Sequence, residues 1–114
     1  MNPSGAEAEL VAARYLQQQG MKIIERNYQT RYGEIDLIMQ DGSTLVFVEV
    51  RLRSNPGFGG AAMSITPAKQ KKIIRSAEQY LQTHGSTNCR FDVVLMQSAH
   101  QNDIQWITHA FDAG

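Results

Sequence analysis

The sequence predicts an α/β fold, a mixed sheet of about five strands flanked by two main helices. Two segments, residues 5 to 19 and 67 to 84, carry apolar residues at helical spacing between recognisable start and stop residues. Between and after them run short stretches rich in Ile, Leu, Val and Phe, separated by polar or glycine-bearing segments. The central stretches are apolar on both faces, so each face needs a covering layer, and helices supply it.

The chain has 114 residues, enough for a single domain spanning 1–114 with one core. Its 42% hydrophobic content is ordinary for a globular protein. No apolar run reaches the roughly 18 residues a membrane span needs, and no basic-then-apolar leader is present, so the expectation is a cytoplasmic protein without membrane contact. Cys89 is the single cysteine, and His84, His100 and His109 are scattered. That excludes an internal disulfide, argues against a zinc cage and marks Cys89 as a buried structural thiol.

Taken in order, Ser4 and Glu7 form a capping-box pattern and Gly20 supplies a stop, with Ala8, Val11, Ala12, Tyr15 and Leu16 as the buried stripe between them. Glu9 borders that stripe. It points either along the interface towards the sheet or into solvent. Residues 21 to 27 read as a first strand, followed by a polar loop through Arg31 and Tyr32. Residues 33 to 53 read as a hairpin turning at Asp41-Gly42, a pair suited to the φ > 0 turns that match strand twist. Pro56, Gly57, Gly59 and Gly60 make the next segment a loop, in which Phe58 serves as an anchor or meets a partner or nucleobase. Thr66 and Pro67 are an N-cap and N1 pair, Ile73, Ile74, Ala77, Tyr80 and Leu81 form the second helix's stripe, and Gly85 closes it. Residues 90 to 97 and 104 to 111 are the last strands. If the strand before the second helix and the strand after it are parallel, they form a right-handed β-α-β crossover.

The central hairpin carries three acids in otherwise apolar strands: Glu34, Asp36 and Glu49. A buried carboxylate is costly unless it is paired or holds a metal. With the turn centred on Asp41-Gly42, Asp36 faces Phe47 and Glu34 faces Glu49. Glu34, Asp36, Glu49 and Arg51 then share one face, with Asp36 diagonally beside Glu49, while Ile35, Leu37, Met39, Val46, Val48, Val50 and Leu52 line the other. A one-residue bulge would break this alignment.

Two strand carboxylates, with a third available from the first helix, suit Mg²⁺ or Mn²⁺, hard cations that take oxygen ligands in octahedral geometry. Asp36, Glu49 and the Val50 carbonyl would leave positions for water and phosphate. Such a metal supports phosphodiester hydrolysis, and Arg51 could clamp a phosphate oxygen. The other reading pairs these acids with Arg51, Arg31 or Arg26 in a partly exposed network. For Glu34 pairing with a loop arginine is the preferred reading, and for Asp92, beside Arg90, a structural salt bridge or turn contact.

The net charge of zero is unevenly distributed. Residues 51 to 75 hold Arg51, Arg53, Lys69, Lys71, Lys72 and Arg75 and no acid. Local charge decides phosphate attraction, so Arg53, Lys69, Lys71, Lys72 and Arg75 are candidate nucleic-acid contacts, against the plain alternative of a solvated helix face.

The residues Gly5, Glu9, Ala12, Tyr15-Leu16, Gly20, Arg26-Asn27, Gly33-Glu34-Ile35-Asp36-Leu37-Ile38, Val46-Phe47-Val48-Glu49-Val50-Arg51, Phe58-Gly59, Lys69, Ala77, Tyr80-Leu81, Arg90-Phe91-Asp92-Val93 and Ala110-Phe111 together resemble the bacterial YraN-like family. That family is similar to the PD-(D/E)XK nucleases, especially the archaeal Holliday-junction resolvase and restriction-endonuclease-like members. The resemblance covers almost the whole chain and implies a restriction-endonuclease-like sandwich. It also implies a Mg²⁺-dependent endonuclease acting on DNA, with branched and single-stranded DNA as candidate substrates, and, by analogy with resolvases, a homodimer. Glu9 resembles the helix-one acid, Asp36 the first strand acid, and Glu49 with Arg51 the E-x-K signature. Glu9, Asp36, Glu49 and Arg51 are then the expected catalytic residues, and Glu9, Asp36, Glu49 and Val50 the expected metal ligands. Ile35 stands where the PD pair has proline. Arg51 stands where lysine is expected, and its planar, permanently charged fork differs in reach from a compact ammonium while still suiting a phosphate. The alternative to an enzyme is a nucleic-acid-binding or assembly module on the same fold.

Overall fold

Five strands and two helices follow one another in the computed structural model, which describes residues 5–52, 65–96 and 104–113. They are α1 (Gly5–Gln18), β1 (Lys22–Thr30), β2 (Gly33–Asp41), β3 (Thr44–Leu52), α2 (Pro67–His84), β4 (Cys89–Met96) and β5 (Ile104–Phe111). The sheet has spatial order β1-β2-β3-β4-β5. Only β3 and β4, the two strands joined through α2, pair in parallel; the other neighbours are antiparallel. This is the mixed sheet with two helices that the hydrophobic pattern predicts.

Alternation along the central strands divides the core between the two faces. Leu45 and Phe47 of β3 and Phe91, Val93 and Leu95 of β4 pack with Ile73, Ala77 and Tyr80 of α2. Val46, Val48, Val94 and Met96 pack with Ala8, Ala12, Ala13 and Leu16 of α1. The helices therefore cover opposite faces. Three alanines along the buried side of α1 bring its backbone close to the sheet, which sets how far a side chain such as Glu9 can reach.

Local signals place the helix ends. Thr66 caps α2 by accepting from the Lys69 N–H at 3.1 Å, Pro67 fills the first turn, and Gly85, at φ 100°, ends it by donating to the Leu81 carbonyl. Gly20, at φ 99°, turns the chain after α1. The expected cap Ser4 and the loop around Phe58 lie outside the described residues.

The strands correct three expectations. β1 runs on to Thr30 instead of ending near 27, because Tyr28 packs on the α2-side core and Thr30 pairs with Gly33, leaving Arg31-Tyr32 as a tight tip. Thr30 Oγ1 also contacts the buried Ser76 hydroxyl of α2 at 2.8 Å, which ties that tip to the helix. In the β2–β3 hairpin, Asp41 pairs with Thr44, so the loop is Gly42-Ser43 and Leu37 faces Val48. Gly42 alone of the two has φ > 0 (61°), the arrangement of a II′ turn. The register is shifted by two residues from the predicted one, which keeps side-chain parity but sets Asp36 towards Glu49 instead of Phe47. The single apolar hairpin face is also absent. Ile35 joins Ile38 and Phe47 under α2, whereas Leu37, Met39, Val46 and Val48 lie under α1. Alternation breaks at Asp36, between the pairs Arg26–Leu37 and Tyr28–Ile35, where Asn27 takes a left-handed φ of 55°.

Candidate metal centre

That break builds the site. The regular β2–β3 pairing reaches Leu37–Val48. One step further on, Asp36 Oδ2 accepts the Val50 N–H at 2.8 Å, so a carboxylate holds a β3 amide where the ladder pairing stops. Asp36 is thereby fixed between the two faces, within reach of acids on either side.

On the α1 side, Glu9, Glu34 and Asp36 each offer a carboxylate oxygen, all within 4.8 Å of one another. Asn27 sits beside them. With its amide nitrogen turned towards the acids it donates to both Glu9 Oε1 and Glu34 Oε1. On the α2 side, Glu49 is 5% exposed and adjoins Asp36. Its Oε2 lies 3.6 Å from Lys69 Nζ and 3.9 Å from an Arg51 guanidinium nitrogen. Gly5, Ala8, Glu9, Asp36, Glu49, Val50, Arg51, Leu52 and Lys69 line one open cleft of about 270 Å³.

The electrostatics set this cleft apart from an ordinary ion-pair network. Burial, reinforced by a hydrogen bond and repulsion from Asp36, pushes Glu49 up to about 8, although Lys69 and Arg51 pull the other way. Glu9 rises to about 7, again through burial first and then its proximity to Asp36 and Glu34, with Arg26 opposing. Acids here face acids. Asp92 shows the contrasting case: fully buried, it accepts from Arg90 Nε, from Trp106 Nε1 at 3.0 Å and from the His109 N–H at 3.1 Å. Its role is structural, as the sequence suggested.

The sequence-predicted residues sort accordingly. Glu9, Asp36, Glu49, Arg51 and Val50 meet at one cleft. Glu34 departs from the preferred reading, since among the described residues it pairs with no arginine and instead faces Glu9, Asp36 and Asn27. Lys69, expected on a separate basic patch, reaches the acids. Lys71, Lys72 and Arg75 stay exposed along α2, with Arg75 over the Tyr32 ring, and Arg53 lies outside the described residues. Sequence reasoning missed Asn27 as a candidate-site residue, and it named Lys69 as a nucleic-acid contact without placing it beside Glu49. The available signal for Asn27 was its tolerance of left-handed backbone inside a strand; for Lys69 it was a position in the first turn of a helix that follows the Glu49 strand.

Comparison with known proteins adds a family. The family model described as "Uncharacterised protein family UPF0102" matches residues 8–96. A UPF0102 protein of Methylobacillus flagellatus is 53% identical, over 99% of this chain and 100% of the relative. One from Nitrosomonas europaea is 55% identical over 95% and 92%, and one from Cupriavidus taiwanensis 52% over 96% and 82%.

Proposed function

We propose that this chain, which belongs to the uncharacterised protein family UPF0102, is an endonuclease-like hydrolase of DNA phosphodiesters that works with Mg²⁺ or Mn²⁺ at the Glu9–Asp36–Glu49 cleft. The observation that carries this reading is the set of carboxylates turned towards one another in a partly buried cleft, with Glu9 and Glu49 at about 7 and 8. Asp92 has partners enough to stay an ordinary buried ion pair, whereas in the cleft the partners of Glu9 and Glu49 are outweighed by burial and by the neighbouring acids. Acids that repel one another fit a divalent cation, whose charge would favour their ionised forms.

The donor set is all oxygen, as a hard cation requires. Asp36, Glu49, Glu9 and the Val50 carbonyl are the residues that would hold it, with Glu34 an additional carboxylate. A cation bound there would polarise the phosphodiester, ready a water for attack and neutralise the leaving oxygen.

The chain's own groups have separable tasks. Asp36, held by the Val50 N–H, is the fixed ligand. Glu9, reaching the cleft from α1, would orient the attacking water and take up its proton. Among the described residues the Arg51 Nε has no hydrogen-bond partner, and its guanidinium would serve as donor to a phosphate oxygen. Lys69 offers, from α2, the compact ammonium that Arg51 lacks. Attack of water on phosphorus, cleavage of one P–O bond and protonation of the departing oxygen complete hydrolysis.

The test is a screen of linear, branched and single-stranded DNA with Mg²⁺ or Mn²⁺, using Glu49→Ala as control. Nicking that needs the metal and is lost in a folded Glu49→Ala protein supports the reading. Absence of Mg²⁺ and Mn²⁺ binding by calorimetry would sink it at its first step.

A further inference from the structure

We propose that Arg31, Tyr32 and Arg75 form a subsite for an unpaired nucleotide, so that the substrate class of the neighbouring cleft is single-stranded or locally unpaired DNA. This inference rests on the reading of the acid cleft as a phosphodiester site, and it concerns a different set of residues.

The tip of the β1–β2 hairpin and the exposed side of α2 enclose an open cleft of about 430 Å³ lined by Arg31, Tyr32, Arg75, Glu78, Gln79 and Gln82. Two guanidiniums flank one aromatic ring. Arg31 lies 5.0 Å and Arg75 5.7 Å from the Tyr32 centroid, and Arg31 also donates to the Tyr32 hydroxyl at 3.0 Å. Among the described residues neither arginine forms an ion pair with a carboxylate. Two cations gathered on one ring, with Glu78 lining the cleft but ion-paired to neither of them, make a place for an anion. The Tyr32 hydroxyl registers the same field: the Arg31 hydrogen bond and charge, followed by Arg75, draw its pKa below the ordinary value.

The chemistry matches a nucleotide more closely than a bare phosphate. A tyrosine ring and guanidinium planes offer a stacking surface to any base, while the guanidinium N–H groups suit its phosphates. Position supplies the link to the acids. Tyr32, at the hairpin tip, is two residues before Glu34 of β2, at most about 7 Å along the chain. Arg75 is six residues beyond Lys69 on α2, about 9 Å along the axis, with exposed Lys72 between them. The hairpin tip is fixed to the helix by the Thr30–Ser76 contact, so Tyr32 and Arg75 are held side by side. A strand lying in the acid cleft can continue past Lys72 to Tyr32. A regular duplex, with its bases stacked inside, offers no free base face to the ring.

Binding is measured by fluorescence anisotropy in EDTA, so that neither metal nor turnover enters. The probes are a labelled oligo-dT strand, a fully abasic strand of equal length and a blunt duplex. The expected result is tighter binding of oligo-dT than of the other two. Tyr32→Ala should weaken oligo-dT by about five-fold or more, the low end of base–aromatic stacking, and leave the abasic strand and duplex unchanged. Tyr32→Phe should bind like the parent. Arg75→Gln should flatten the salt dependence on oligo-dT by about 0.7 in logarithmic slope, and Glu78→Gln, which removes the cleft's acid, should tighten binding. If Tyr32→Ala lowers the melting temperature, Arg75→Gln carries the decision, since it changes an exposed helix position. Equal binding of the three probes, an equal loss on the abasic strand, or Tyr32→Ala and Arg75→Gln both without effect overturns the proposal. Metal-dependent nicking abolished by Glu49→Ala, together with any of those results, leaves the acid cleft standing and removes only the subsite. Strand binding as predicted without metal-dependent nicking does the reverse.

Discussion

Glu49 illustrates how a single carboxyl can be buried at a loss to the stability of the fold. Its carboxyl is 5% exposed and stands at about 8 against an ordinary 4.5. Because the folded value is raised, the protonated form is the one the metal-free fold favours. The associated stability is present below pH 4.5 and declines as pH rises through about 8; Glu9 behaves likewise up to about 7. In EDTA, the melting temperature of Glu49→Gln should therefore gain on the parent as pH rises from 5 to 9, since glutamine mimics the protonated acid. A difference that stays flat across that range contradicts the assignment. Metal affinity should run the opposite way, rising through the same window because ligands must lose protons, and calorimetry in buffers of different ionisation enthalpy reads the protons released. That Asp36 and Glu49 meet was legible, because acids in paired apolar strands are conspicuous. Glu34 was not, since its partner depends on Asn27 and a strand break that no residue spacing encodes.

At the scale of elements, two short features position the chemistry. The first is the strand break at Asn27–Asp36, which turns Asp36 inward to take the Val50 N–H. The second is the start of α2, where Thr66 fixes the first turn by accepting from the Lys69 N–H and so sets where Lys69 begins its reach to Glu49. Thr66→Ala removes that cap and should cost about 1 kcal/mol in a denaturant titration. An unchanged midpoint would mean the cap does not hold α2. The helix limits were legible because caps are local: Thr66-Pro67 and Gly85 bound α2 as expected, and Gly20 closes α1 nearby. The hairpin register was not. Asp41-Gly42 is a good turn by composition, but the pairing of Asp41 with Thr44 moves the loop to Gly42-Ser43. A shift of two costs nothing in side-chain parity, so the pattern of apolar residues cannot distinguish the two registers.

At the scale of the whole molecule, the sheet separates the acid cleft between β2 and β3 from a structural centre beneath β4 and β5. There Asp92 gathers Arg90, Trp106 and the His109 backbone, and Arg90 continues to Asp41 at the β2 end, 3.0 Å away. Asp92→Asn turns an amide towards those donors and leaves Arg90 without its buried partner; the expected loss is about 3 kcal/mol or more, read by thermal or chemical unfolding. Metal binding at the distant cleft should persist under conditions where this variant remains folded. No helix among the described residues is long and apolar enough to cross a membrane. What the sequence determined by itself was the element order, the helix caps, the two-sided hydrophobic core and the acids that interrupt it, because each depends on residue type and period along the chain. Only the tertiary structure decided which side chains meet. Lys69 comes from a helix beyond a long connection, Asn27 from a neighbouring strand, and Arg31 and Arg75 from elements 44 residues apart. Their proximity follows from how strands stagger and helices dock, quantities set by packing over the whole sheet and invisible to any local period.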